Sequence, residues 1–344
     1  MIPQNPTALH GAGPEPSTLS EQIPAIVSAR GADLDPEVRH FVITLSQAFA
    51  DYPDFNNLPL PEMRRACEHI RAPWAAGGPV MAQRLERAIA TPGGEVRVRI
   101  HNPSARANKP ALIYMHGGGW TTFSIDTHDR LMREYAARAD VVVIGVDYAL
   151  SPEVKFPVAQ QQIAAVVRWA RQQSSELGIH HDRIALGGDS AGGNLAITTA
   201  LRLRDEGEPN AVHAVVTSYA VTDTYSTPEA LQRYGHEGYM LGAEEMVHFW
   251  NNYLSSQDEA SNPLVCPVHA DLRGLPPVFM VIPECDILTE QNWRLADKLT
   301  HAGVKVTTSF YEGASHSFLE AMSISALSNR AIDDAARWLR ETLR

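Results

Sequence analysis

Five unbroken apolar runs, each bounded by polar or glycine-rich sequence, decide what this chain can become: ALIYM (111–115), VVVIGV (141–146), RIALG (183–187), AVVTSYAV (214–221) and PVFMVI (277–282). A strand with one wet face alternates apolar and polar residues, whereas an unbroken run must be covered on both faces, as inside a parallel sheet. Helical stretches lie between the runs, the clearest carrying Ile163, Val166, Val167 and Ala170 at helical spacing. Before them, Val96, Val98 and Ile100 alternate with Arg97 and Arg99 in the pattern of a half-exposed strand. After them, Val304, Val306, Thr308 and Phe310 repeat that alternation ahead of a final helix with Ile332, Ala335, Ala336, Leu339 and Leu343. Strand and helix therefore alternate for about 250 residues, which predicts an α/β fold with a doubly wound, mostly parallel sheet.

With 344 residues, 44% of them hydrophobic, the chain can bury one large elaborated core. Residues 1–34, rich in Pro, Gly and Ser, read as a flexible lead-in. Residues 35–75 precede any strand signal and carry two helices: Val38, Phe41, Val42, Leu45 and Phe49 share a face behind an Asp35-Pro36 start, and Met63, Cys67 and Ile70 mark the second. Residues 76–222 and 263–344 make up the sheet core. The segment between them, 223–262, is long for a connection and holds GYMLGAEEMVHFWNNYL, a helix loaded with Met and aromatic residues. It reads either as a helix packed on its neighbours or as a lid over a ligand site, and 35–75 as an appended cover.

Charge narrows the partners. Against 29 Lys and Arg stand 40 Asp and Glu, a net charge of −11 with no basic run, which disfavours nucleic acid and anionic membrane surfaces. No apolar stretch approaches the roughly 18 residues of a membrane span. Three scattered cysteines, Cys67, Cys266 and Cys285, fit reduced thiols, and the N-terminus does not read as a signal peptide; a cytoplasmic location is the expectation.

The chemistry concentrates where apolar runs end. GDSAG (188–192) satisfies G-x-S-x-G at a strand-to-helix junction, the context of a nucleophile elbow carrying Ser190. A serine hydroxyl needs a histidine to take its proton and a carboxylate to orient that histidine, in the chain order Ser, acid, His. Of the two histidines beyond PVFMVI, His301 ends a helical run, whereas His316 directly follows the last strand and is the better base. Asp286 stands just past the run ending at Ile282 and is the expected acid, with Glu290 in reserve. Backbone amides of Gly117, Gly118 and Gly119, in HGGGW (116–120), and of Ala191 would form an oxyanion hole, with His116 bracing the loop. Trp120, Tyr219, Met240 and Phe249 are candidate pocket residues. Neither a metal-ligand spacing nor a phosphate-binding loop is present, so no metal and no cofactor is expected.

HGGGW, GDSAGGN (188–194), VDYALSPEVKFP (146–157), CDILTE (285–290) and GASHSF (313–318) together resemble the hormone-sensitive-lipase branch of the α/β-hydrolase esterases, from about residue 95 to the C-terminus. The resemblance implies an α/β-hydrolase fold under a helical cap, a triad of Ser190, Asp286 and His316, and short-to-medium acyl esters as substrates. It also implies a homodimer through the last strand and helix. Two positions depart from the pattern: Ser317 stands where glycine follows the histidine, and Cys285, beside the acid, is an expected point of thiol sensitivity. Rival functions on the same scaffold are an amidase or peptidase using the same residues, and a non-catalytic small-ligand-binding protein.

Overall fold

A computed structural model describes residues 34–52 and 55–344. Helices α1 (Pro36–Ala50) and α2 (Leu60–Ala75) come first, followed by β1 (Gln83–Thr91), β2 (Gly94–Asn102), β3 (Lys109–Met115), α3 (Asp129–Ala139) and β4 (Val142–Asp147). Then come α4 (Val158–Gln172), a short α5 (Ser174–Leu177), β5 (Ile179–Asp189), α6 (Ala191–Asp205) and β6 (Ala214–Ser218). The chain finishes with α7 (Pro228–Tyr234), α8 (Ala243–Tyr253), β7 (Val278–Cys285), α9 (Thr289–His301), β8 (Val306–Ser315) and α10 (Ala326–Thr342). Apart from Leu34, the expected lead-in lies outside the described residues.

The eight strands form one sheet in the order β1-β2-β4-β3-β5-β6-β7-β8. β1 pairs with β2 and β2 with β4 antiparallel; every other pairing is parallel. The five apolar runs are β3 to β7, and all residues of β6 and β7 are buried, because helices cover both faces. One core packs α4, α6 and α9 on one side of the sheet, and a second packs α1, α3 and α10 on the other. α1 begins where the sequence predicts: Asp35 accepts from the amides of Glu37 at 3.0 Å and Val38 at 3.2 Å.

Two local features depart from the sequence patterns. Strand β1 carries no signal in the sequence because only Ile89 of QRLERAIAT is buried. Arg99, expected on a wet face, is only 2% exposed. Glu86, its register partner on β1, lies 2.6 Å away, and Asp126 and Asp129 lie at 2.6 and 3.1 Å, so the guanidinium is neutralised in place.

Segment 223–262 folds as α7, α8 and short 3-10 turns. Its α8 packs on the loop after β3, with Tyr253 stacked on Trp120 at 4.2 Å between ring centroids. α2 reaches the same loop from the other side, where Arg64 donates to the carbonyl of Thr121 at 2.8 Å.

Candidate active site

Parallel strands present their C-terminal ends at one edge of the sheet, and the chain places its reactive residues there. Ser190 is the first residue after β5, Asp286 the first after β7 and His316 the first after β8. Cys285 and Ser315 are register partners, so the next residue on each strand, Asp286 and His316, emerge side by side. The Ser190 backbone has φ 53° and ψ −119°, a region costly for any side chain, which turns the chain sharply from β5 into α6. Such a turn tolerates no bulk: a Cβ on Gly192 would lie 2.0 Å from the carbonyl oxygen of Met115, and one on Gly188 would lie 2.4 Å from the backbone of Gly192. The Ser190 amide donates to Ser218 at 2.9 Å, pinning the turn to β6.

The three side chains meet. Ser190 Oγ lies 3.0 Å from His316 Nε2, and His316 Nδ1 lies 2.7 Å from Asp286 Oδ2. The other carboxylate oxygen of Asp286 accepts from the amide of Leu288 at 2.8 Å. With Nδ1–H donating to the carboxylate, Nε2 is left to accept the serine proton. Burial alone would push the His316 imidazole down, but the Asp286 carboxylate and its hydrogen bond hold it above the ordinary histidine range. Tyr219 stands edge-on to the imidazole at 4.9 Å, fixing its plane. His301 is exposed and bonded within α9 to the carbonyl of Asp297, away from this site. Glu290 sits in the first turn of α9, where the helix dipole favours a carboxylate.

The loop after β3 is tied down on one side and free on the other. Gly117 donates its amide to Asp189 Oδ1 at 3.2 Å, so it is a framework group and not a spare donor. The carbonyl of Gly118 accepts from the amides of Thr121 and Thr122 at 3.0 and 2.9 Å. Among the described residues, the amides of Gly118, Gly119 and Ala191 donate to nothing. Burial pushes His116 down to about 4, and its ring stacks on Tyr148 at 4.4 Å, bracing the loop as a neutral group.

The pocket candidates divide. Tyr219 touches His316, and Phe249 lies on the oxyanion loop, its ring 2.1 Å from where a Cβ on Gly119 would stand. Trp120 is 1% exposed and packs against Tyr253 and Trp250 of α8. Met240 is half-buried and packs beside the second core. Ser190 and His316 are only 6% and 5% exposed, and two clefts of about 280 and 440 Å³ open beside Glu68 on α2. Cys285 is fully buried, which removes the expected point of thiol sensitivity.

Sequence reasoning missed the residues underneath. Asp189 accepts from Tyr114 Oη at 2.8 Å as well as from Gly117, and His128 Nε2 lies 3.3 Å from it. The signal was present in the elbow itself, where an acidic residue fills the variable position before the serine.

A family model described as the alpha/beta hydrolase fold matches residues 112–320. The chain belongs to that α/β-hydrolase family, and within it to the hormone-sensitive-lipase-like group of esterases. It is 34% identical over 288 residues to an arylesterase of Saccharolobus solfataricus, covering 83% of this chain and 92% of that protein. An acetyl esterase of Salmonella agona (strain SL483) is 32% identical over 269 residues, covering 77% and 82%. Among solved structures, a hyperthermophilic esterase from the archaeon Pyrobaculum calidifontis superposes with a TM-score of 0.83 at 30% identity, covering 90% of this chain and 98% of that one.

Proposed function

We propose that this esterase hydrolyses short-to-medium acyl esters through Ser190, His316 and Asp286. The observation that carries the reading is the unbroken hydrogen-bond chain from Asp286 through His316 to the serine hydroxyl, at 2.7 and 3.0 Å. His316 Nε2 takes the Ser190 proton as Oγ attacks the ester carbonyl. The amides of Gly118, Gly119 and Ala191 receive the oxyanion, each donor being worth about 3 kcal/mol of barrier. His316 then protonates the departing alkoxide, and water repeats the sequence on the acyl-enzyme. The imidazole in place beside the serine favours this over a non-catalytic binding role. Phe249 above Gly119 and Tyr219 beside His316 restrict the acyl side, consistent with small acyl groups.

In this reading α1, α2 and segment 223–262 form the cap, and two copies pair through the free edge at β8, which size-exclusion chromatography with light scattering tests directly. A cytoplasmic location belongs to the same proposal, supported by three buried, reduced cysteines; among the described residues, no helix is long and apolar enough to cross a membrane. The functional test is an acyl-chain series of p-nitrophenyl esters with wild type and Ser190→Ala. Turnover of acetate to hexanoate by wild type, lost in the variant with its fold intact, supports the proposal. Hydrolysis by the variant at the wild-type rate overturns it.

A further inference from the structure

A chain of buried charges runs beneath the oxyanion loop and serves none of the steps above. Arg71, on α2, is 2% exposed, and its Nη1 lies 2.7 Å from Glu320 Oε2. Glu320, in the turn after His316, faces His128 Nε2 across 3.6 Å through its other oxygen. His128 Nε2 in turn lies 3.3 Å from Asp189 Oδ2, and Asp189 holds the amide of Gly117. Thr127 Oγ1 lies 2.9 Å from both the carbonyl of Ser124 and His128 Nδ1, and His128 Nε2 faces the two carboxylates. Those carboxylates hold the ring above the ordinary histidine range although burial opposes it.

The row therefore runs Arg71, Glu320, His128, Asp189 from α2 to the elbow, and burial raises the Glu320 carboxyl although Arg71 and His128 pull it down. The donor atoms of His128, Asp189 and Glu320 lie within 4.8 Å of one another, a grouping that elsewhere holds a metal ion, but here the Arg71 guanidinium supplies the positive charge. Such a row holds its shape only while every charge has its neighbour, since removing one member strands another in a medium of low polarity. Burial pushes the Asp189 carboxyl up, but the His128 charge outweighs it and holds the group ionised. The row has two outlets: Asp189 is peptide-bonded to Ser190, and its Oδ1 accepts from Gly117, one residue before the free amides of Gly118 and Gly119.

We propose that Arg71, Glu320 and His128 are positioning residues whose linked contacts fix Asp189, and through it the oxyanion amides, so that the α2 segment sets the anion hole of a site it does not itself supply. This rests on the ester-hydrolysis reading. Its distinctive consequence is that the damage falls on the tetrahedral state and not on substrate binding, because the ester carbonyl demands less of the amides than the oxyanion does.

The test compares wild type, Arg71→Met, Glu320→Gln and the double variant, with rates expressed per active site titrated by the p-nitrophenol burst of diethyl p-nitrophenyl phosphate. The second readout is the affinity of an aryl trifluoromethyl ketone. Ser190 Oγ adds to its carbonyl, the serine proton passes to His316, and the carbonyl oxygen becomes a bound oxyanion. For Arg71→Met we expect kcat to fall about 10- to 100-fold with KM within threefold, and the ketone to weaken by the same factor as kcat. Adding Glu320→Gln removes the stranded carboxylate and should restore kcat at least several-fold. Glu320→Gln alone, which preserves shape, should lower kcat and ketone affinity together, and it carries the test if Arg71→Met does not fold. Equal kcat per site in the variants, or a loss confined to KM or to melting temperature, overturns the proposal. Wild-type turnover and its loss in Ser190→Ala are measured alongside, so a failure of the ester-hydrolysis reading shows separately.

Discussion

Replacing Asp286 by Asn probes the site most sharply, because the structure dictates which way the amide must face. The Leu288 amide donates to Oδ1 at 2.8 Å, so the Asn carbonyl oxygen will stay there and its NH2 group will point at His316 Nδ1. A donor facing Nδ1 forces the imidazole proton onto Nε2, where Ser190 needs an acceptor. The negative charge that stabilises the imidazolium in the transition state is lost as well. Together these should cost about 10³ to 10⁴ in kcat, or about 4–5.5 kcal/mol of barrier. The fold should survive, since the substitution keeps volume and two hydrogen bonds. A pH dependence gives an independent sign. In wild type the Asp286 carboxylate outweighs burial and raises His316, so activity should rise with pH through a midpoint above 6.5, the ordinary histidine value. Without the carboxylate only burial and weaker charges remain, and the acid limb of the residual activity should move to lower pH. The assay is initial-rate hydrolysis of p-nitrophenyl acetate from pH 5 to 9, with released nitrophenol read at its isosbestic wavelength. A kcat within tenfold of wild type, or an acid limb that stays put, would refute the assignment of Asp286.

Other substitutions test the frame. Ser317 has φ 58° and ψ 14°, a left-handed conformation that costs a side-chain-bearing residue about 1–2 kcal/mol, so Ser317→Gly should raise stability to urea by about 1 kcal/mol, read from the denaturation midpoint. Gly119→Ala drives a methyl into the Phe249 ring and should cut kcat more than tenfold, whereas Gly119→Ala with Phe249→Ala should recover much of it; no recovery would mean the ring is not the obstacle. Arg99→Met removes the buried partner of Glu86, Asp126 and Asp129, which keep Arg97, Arg84 and Arg133 beside them, and should cost about 1–2 kcal/mol in urea unfolding, with kcat per folded molecule unchanged. Burial pushes the thiols of Cys67 and Cys266 up to about 12, and Cys285 is fully covered, so a disulfide-exchange reagent should leave the native enzyme active and react only on unfolding.

What the sequence discloses follows from how strongly each feature is written into residue type. Unbroken apolar runs announce β3 to β7 because a strand buried on both faces has no other composition available. The residues that meet at Ser190 are legible for a related reason: each is the first residue beyond a strand, so locating a strand's end locates its reactive group. β1 escaped because an edge strand with only one of its nine residues buried needs no apolar pattern. Arg99 misled because a charge reads as solvent-facing until its partners are known, and those come from β1 and from the loop and helix that follow β3. The row from Arg71 to Asp189 stayed hidden for the same reason, its members lying at positions 71, 128, 189 and 320 with no local spacing to betray them.

The placement of the three meeting side chains has a bearing on how this enzyme would be re-engineered. Each hangs from a strand terminus, so its position is set by the sheet and not by α8, whereas Phe249 of α8 lies against Gly119. Substitutions along α8 should therefore alter the surroundings of Gly119 while leaving in place the strands that carry Ser190, Asp286 and His316.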